Sequence, residues 1–180
     1  AARFWMPHGM VKMGDGEIAI ADYGNHRLRK LQNGVVTTLA GGEEGFADGP
    51  AATARFRSPT GLALAAQGRV LLADEGNQRI RRVTSEGETT TIGGADGPRM
   101  EGQPDSIMVA KDGATIVSVT DGSHRIGTLS ADGTLTTLAG SAEDGFVDGR
   151  GEAARFAFPA GIAEGPDGRI YVADCVNHSI

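Results

Sequence analysis

The chain has 180 residues and a net charge of −6. This balance argues against a broad phosphate-binding surface, which needs clustered lysine and arginine, and no apolar run approaches the roughly 20 residues of a membrane span. The single cysteine, Cys175, cannot form an intramolecular disulfide and leaves the compartment open. We therefore expect a soluble chain, or the soluble part of a larger assembly, with no nucleic-acid partner.

One sequence motif recurs along the chain. Residues 1–25, 51–77 and 153–177 each contain Ala-Arg-Phe, then a proline, a turn with glycine, Ala-Asp and an asparagine. A degenerate copy containing Pro104 and Asp121 lies between the second and third of these segments. The four motif aspartates are 52, 47 and 53 residues apart, and they are Asp22, Asp74, Asp121 and Asp174. A period near ~50 residues is typical of propeller blades.

Each copy divides into short strands separated by turns rich in glycine. The predicted strands are 9–12, 17–21, 27–31 and 35–39; then 61–65, 69–73, 79–83 and 88–92; then 106–110, 114–119, 125–129 and 134–138; and finally 161–164 and 169–173. No long segment carries the period of about 3.6 residues that marks a helix. Four-stranded antiparallel sheets at a fixed period are the unit of a β-propeller. We predict an all-β propeller with blades at about 1–40, 51–92, 99–139 and 153–180, the last incomplete.

Three and a half blades do not close a ring, because propellers have about 4–8 blades. Open blade faces would expose more apolar surface than a soluble monomer tolerates. We therefore expect either a larger chain or a protein partner to complete the propeller. The sequence leaves open which of the two does so.

A pattern recurs within the chain: Pro-x-Gly-Leu/Ile, Asp-Gly, Val-Ala-Asp and Asn-x-Arg-Ile. This pattern resembles the NHL repeat, named after its Asn-His-Leu core. That core stands at residues 25–28, 77–80 and 177–180, whereas the third copy has Asp121 and His124 but no asparagine. The resemblance implies a propeller, commonly six-bladed in this family. It does not choose a function, because one fold hosts many.

The residues repeated in the copies are interpreted as structural. We predict that the motif aspartates and asparagines form turns in which the carboxylate accepts backbone N–H groups, in preference to a metal-binding ring; these residues are Asp22, Asn25, Asp74, Asn77, Asp121, Asp174 and Asn177. The inter-blade loops carry three Arg-Phe pairs, Arg3-Phe4, Arg55-Phe56 and Arg155-Phe156. We expect each phenylalanine to fill the seam between blades and each arginine to pair with Asp48, Asp148 or a turn of the next blade.

The position after the motif proline varies between copies and is predicted to face the central channel. It holds His8, Thr60, Asp105 and Ala160. The segment from Pro7 to Met10 resembles that of peptidyl-hydroxyglycine amidating lyases, propellers that bind zinc with channel histidines. This resemblance implies a metal site at His8 with Asp105 as a second ligand, although a catalytic zinc takes about three protein ligands.

Two functions remain open at this point. The first is a non-catalytic interaction platform, or a subunit of a larger assembly, without a cofactor; the loops 41–50, 93–103 and 140–151 would carry its contacts. The second is a metal-dependent lyase or hydrolase that uses zinc in the channel. RNA binding by a basic propeller face is disfavoured by the acidic charge.

Overall fold

The computed structural model describes residues 2–92 and 99–180, which fold into antiparallel sheets. The first sheet consists of β1 (Pro7–Lys12), β2 (Ile18–Asp22), β3 (Arg27–Gln32) and β4 (Val35–Gly41). The second consists of β5 (Pro59–Leu64), β6 (Val70–Asp74), β7 (Arg79–Val83) and β8 (Thr89–Thr91). The third consists of β9 (Pro104–Val109), β10 (Thr115–Val119), β11 (His124–Leu129) and β12 (Leu135–Ser141). The fourth pairs β13 (Pro159–Glu164) with β14 (Ile170–Asp174).

Local sequence signals explain these strands. The apolar runs of β2 and β6 are buried on both faces, as their near-continuous hydrophobicity predicts. The β3–β4 connection is Asn33-Gly34, and both residues have positive φ angles of 50° and 79°. These angles are those of the type I′ turn that the Asn-Gly pair favours in a tight hairpin.

The inner strands of successive sheets lie side by side. β1 contacts β5, β5 contacts β9, and β9 contacts β13. A Cβ atom placed on Gly9 would lie 2.5 Å from the carbonyl oxygen of Thr60, and one on Gly61 would lie 2.5 Å from that of Asp105. The glycine of the Pro-x-Gly motif is therefore needed for the close approach of neighbouring inner strands.

The sheets stack through two apolar cores. The core between the first and second sheets contains Leu28, Phe56 and Leu72, and that between the second and third contains Ile80 and Val117. No sheet buries both of its faces alone, so each depends on its neighbour. This stacking of four-stranded sheets confirms the all-β propeller fold predicted from the repeats.

Short turns of 3₁₀-helix connect several strands, at Tyr23–Asn25, Ala66–Gly68, Glu75–Asn77 and Gly151–Ala153. Within residues 2–92 and 99–180, no helix is long and apolar enough to cross a membrane. Residues 93–98, which belong to the predicted contact loop 93–103, lie outside the described residues.

Candidate functional site

The repeated aspartates are buried at the ends of the second strands. Asp74 accepts hydrogen bonds from the backbone N–H of Arg57 at 2.7 Å, from Asn77 at 2.9 Å and from Arg81 at 2.6 Å. Asp22 has the same set, with Trp5, Asn25 and Arg29 as donors, and Asp174 accepts from Ala157 and Asn177. In each case the backbone donor lies 17 residues upstream. These carboxylates therefore tie the inter-blade loop to the sheet, a longer link than a local turn.

The third sheet departs from this arrangement. The prediction that Asp121 is the fourth of these motif aspartates is wrong. Pro104 pairs with Val119, whereas the equivalent Pro7 pairs with Asp22. Val119 therefore occupies the position of the buried aspartate, and Asp121 lies exposed in the turn that follows. The connection from β10 to β11 is one residue longer than that from β2 to β3, because Val119 pairs with Arg125 whereas Asp22 pairs with Arg27, and the Asp-Gly pair lies within this longer connection. Gly127, opposite Thr137, occupies the position of Arg29.

The Arg-Phe pairs differ from one another in their surroundings. Phe56 is fully buried in the core between the first two sheets, whereas Phe4 is 38% exposed and Phe156 is half-buried. Arg3 is exposed, and its carbonyl accepts a hydrogen bond from Arg29 at 3.4 Å.

The arginines of these pairs do not bind the loop aspartates. Arg55 pairs with Glu43, and Arg155 lies 3.8 Å from Glu143. Asp48 is instead bound by Arg81 at 2.6 Å. The expected pairing of Arg55 with Asp48 was therefore wrong, because Arg81 reaches the loop from the third strand.

The four channel residues do come together. His8, Thr60, Asp105 and Ala160 line one open cleft of about 380 Å³ with the neighbouring motif glycines. The inner strands carry a β-bulge at this level, for example between Pro7 and Met10, and a bulge re-aims the side chains next to it. Thr60 is buried and donates toward the carbonyls of Ala73 and Pro104. His8 and Asp105 are the titratable members of the cleft.

Three residues of the turns between the second and third strands, Tyr23, Glu75 and Asp121, interact with residues of this cleft or with one another. The ring of Tyr23 stacks on that of His8, with centroids 4.7 Å apart. The pKa of Glu75 is raised to about 7, mainly by burial and in addition by the charges of Asp105 and Asp121. We call the set His8, Tyr23, Thr60, Glu75, Asp105 and Asp121 the mouth.

Burial is the main influence on both shifted carboxyl groups of the mouth, Glu75 and Asp105. Burial raises the pKa of Asp105, and the nearby His8 opposes that shift. The sequence analysis missed Glu75 and Tyr23 as members of this set. Their signal was available, because the position after the motif aspartate varies as Tyr23, Glu75 and Cys175 in the three regular copies.

The metal expectation rests on two residues. His8 and Asp105 share the cleft, but across residues 2–92 and 99–180 no group of three or more His, Cys, Asp or Glu side chains is placed to hold a metal ion. A catalytic zinc takes about three protein ligands. The donor set among the described residues is therefore smaller than such a centre requires.

Comparison with known proteins identifies the repeats. The family model described as NHL repeat matches residues 4–31, 56–83 and 156–180. The chain carries repeats of the NHL family. The matched segments are the three regular copies, each with a buried aspartate, and the displaced third copy lies outside them.

One curated relative of this NHL chain is the chloroplastic protein SUPPRESSOR OF QUENCHING 1 from Arabidopsis thaliana. It is 39% identical over 90 residues, which span 48% of this chain and 8% of the relative. The present chain therefore matches a small part of a much longer protein.

Solved propellers share the fold at low identity. A gluconolactonase from Xanthomonas campestris superposes with a TM-score of 0.70 at 19% identity, over 96% of this chain and 56% of its own. A catalytically inactive virginiamycin B lyase from Staphylococcus aureus gives 0.65 at 16%, over 95% and 50%. A structure of a nidogen/laminin complex gives 0.68 at 14%, over 93% and 56%. The chain thus spans about half of these propellers, and at such identities the likeness concerns the fold alone.

Proposed function

We propose that this chain is a non-catalytic protein-interaction module, part of a larger assembly, whose partner docks at the mouth. The observation that carries the proposal is the division of polar residues between scaffold and mouth. Residues that recur, such as Asp74, Asn77 and Arg81, are hydrogen-bonded within the sheets. Residues that vary between copies converge on one open cleft. Variable residues on a rigid repeated scaffold are how such proteins build specific docking surfaces.

The loops support the choice of the mouth over the loop tips expected from sequence. In the loop 41–50, the carbonyls of Gly45 and Ala47 accept hydrogen bonds from Asn77 and Arg81, and Asp48 binds Arg81 and Thr91. These groups hold the blade together. In the mouth, by contrast, His8 and Asp121 are exposed and Asp105 lines the open cleft, which a side chain of a partner can enter.

The charge of the mouth indicates the chemistry of the partner. Burial is the main cause of the raised pKa of Glu75, and the charges of Asp105 and Asp121 add repulsion of the ionised Glu75. A lysine or arginine side chain placed among them would relieve this repulsion and take part in charge-assisted hydrogen bonds. We therefore expect a basic segment of the partner to enter the mouth, and its association to weaken as salt rises.

The test compares proteins that co-purify with the full-length protein and with single-charge variants. Glu75→Gln and Asp105→Asn remove one carboxylate of the mouth, and Glu88→Gln removes an exposed one elsewhere. Partners lost with both mouth variants and retained with Glu88→Gln are then purified, and their affinities are measured with each variant. Equal affinities for all three variants would contradict docking at the mouth.

A metal-dependent lyase or hydrolase is the second candidate, favoured by the shared cleft of His8 and Asp105 and by their electrostatic coupling. Zinc titration of the full-length protein by calorimetry tests it. Stoichiometric zinc binding that His8→Ala abolishes would support the metal-dependent enzyme hypothesis over the interaction-module hypothesis. Binding that His8→Ala leaves unchanged would remove the channel as the metal site.

A further inference from the structure

The second and third sheets form a cleft of about 360 Å³ between them. Its lining includes Arg69, Leu71 and Arg82 from the second sheet and Leu129 from the third. Arg69 directly precedes β6, whereas Glu75 of the mouth directly follows that strand. The cleft therefore lies at the opposite end of the second sheet from the mouth.

The first sheet shows how close together the two arginine positions lie. By the strand register, Arg69 corresponds to Glu17 of the first sheet. Arg82 corresponds in the same way to Lys30. Glu17 and Lys30 form an ion pair, in which Oε1 and Nζ are 2.9 Å apart. The second sheet thus places two cations at a pair of positions that hold a cation and its counter-ion in the first sheet.

The two arginines are without a counter-ion among the residues that the structure describes. No ion pair and no side-chain hydrogen bond within residues 2–92 and 99–180 involves Arg69 or Arg82, and both side chains are half-buried. The carboxylates on the facing turns of the third sheet, Asp112 and Asp132, accept hydrogen bonds from backbone N–H groups of their own turns. Like charges on neighbouring strands repel, and an anion bound between the two guanidinium groups would remove this repulsion.

The rest of the lining indicates an anion with an apolar part. Leu71 lies opposite Arg82 across the strands and two residues after Arg69. Its side chain is therefore on the same face of the sheet as both guanidinium groups. Leu129 packs in the same apolar core as Leu71 and lines the cleft from the third sheet. A cleft of this size, with apolar walls and a few convergent polar groups, is typical of a small-molecule site.

The pair of guanidinium groups selects the anionic group. A carboxylate has one charge and two oxygens, which a single guanidinium binds in bidentate fashion. A phosphate monoester carries a charge of about −1.5 to −2 near neutral pH and has three acceptor oxygens. It can therefore bind both arginines at once. Two arginines are too few for a nucleic-acid surface, which needs a row of phosphate contacts.

We propose that this cleft binds a small organic phosphate monoester. The phosphate lies between the guanidinium groups of Arg69 and Arg82, and the apolar group of the ligand lies against Leu71 and Leu129. The proposal does not depend on the function proposed for the mouth, because other residues, at the other end of the sheet, form this cleft.

Calorimetric titration of phenyl phosphate into the full-length protein tests the proposal, at a pH well above the second phosphate pKa of about 6. We expect saturable binding at one site. Arg82→Gln should weaken it about tenfold or more, because it removes charge-assisted hydrogen bonds. Arg169→Gln is the matched control, because Arg169 directly precedes β14 as Arg69 precedes β6, and it pairs with Asp167 at 3.4 Å. This control should change the affinity less than about twofold.

Arg69→Glu separates loss of the site from loss of the fold. This variant reproduces the Glu17–Lys30 arrangement in the second sheet. We expect thermal unfolding to stay unchanged or to shift to higher temperature, while phenyl phosphate binding is lost.

Two further probes test the chemical class of the ligand. Inorganic phosphate lacks the apolar group and benzoate lacks the second charge, so both should bind more weakly than phenyl phosphate. Equal affinity of either probe would overturn the assignment of an organic phosphate. Phenyl phosphate binding that Arg69→Glu leaves unchanged, or no saturable binding at millimolar phenyl phosphate, would overturn the site itself.

Discussion

Replacement of Arg81 by lysine tests whether the buried arginine holds the second blade together. Arg81 is fully buried, and its guanidinium bridges Asp48 of the loop 41–50 and Asp74 of β6. Lysine keeps the charge but offers a single nitrogen with three donors. It can reach one carboxylate, and it leaves the other carboxylate and at least one backbone carbonyl without their donor.

The magnitude follows from these lost contacts. A hydrogen bond to a charged group contributes about 1.5–3 kcal/mol, and breaking a buried charge pair costs about 3–5 kcal/mol. The stacking on Phe46 and Phe56 is lost as well. We expect Arg81→Lys to lower the free energy of unfolding by about 3–4 kcal/mol. The neighbouring Arg82 is half-buried on the other face of β7, and Arg82→Lys should cost less than about 0.5 kcal/mol.

Urea unfolding followed by circular dichroism measures both variants, and amide exchange at Thr89 and Thr91 locates the effect. The N–H of Thr91 donates to Asp48 at 2.9 Å, and that of Thr89 donates to Gly49. Both amides should therefore lose protection in Arg81→Lys. A loss of stability below about 1 kcal/mol, or equal losses in the two variants, would refute a structural role for the guanidinium network.

Two further predictions concern the inner strands and the mouth. Gly61→Ala should lower the free energy of unfolding by about 1–3 kcal/mol, because the new Cβ would meet the Asp105 carbonyl. Gly161→Ala should be nearly neutral in thermal unfolding, because the nearest neighbour of its Cβ is the Ala173 side chain at 3.7 Å. Glu75 has a folded-state pKa of about 7 against an ordinary value of 4.5, so its charge lowers stability progressively as pH rises from about 4.5 to about 7. Glu75→Gln should match the parent in stability at pH 4.5 and exceed it at pH 8 by about 1–2 kcal/mol, since solvent screens this half-buried group. Equal unfolding curves at pH 8 would contradict the raised pKa of Glu75.

The strands could be predicted from sequence because their signals are local. Asn33-Gly34 fixes a hairpin by its own φ angles, and a proline begins every inner strand, followed by x-Gly in all but the third sheet. The partner of Asp48 could not be predicted in the same way, because Arg81 lies 33 residues away and reaches Asp48 only through the path of the loop.

The candidate site shows the same limit. His8 and Asp105 were identified because their position varies on a repeated background, and they share a cleft. Glu75 joined them only in the structure, because its neighbours Asp105 and Asp121 belong to the third sheet. Asp121 was placed in the wrong register because an Asp-Gly pair is common to turns, and only the pairing of Pro104 with Val119 shows which residue takes the aspartate position.

The third sheet indicates that a blade can be filled either with the aspartate–arginine pair or with apolar residues in its place. It keeps four strands with Val119 fully buried at the aspartate position and Gly127 at the arginine position, where Leu135 packs closely. Replacing a buried ion pair by apolar residues is often neutral, whereas removing one partner costs about 3–5 kcal/mol. In the second sheet, Asp74→Val with Arg81→Leu should therefore destabilise the protein by at least about 1 kcal/mol less than the sum of the single changes. Additive losses in urea unfolding would mean that the two residues stabilise the blade independently, each through its own backbone contacts.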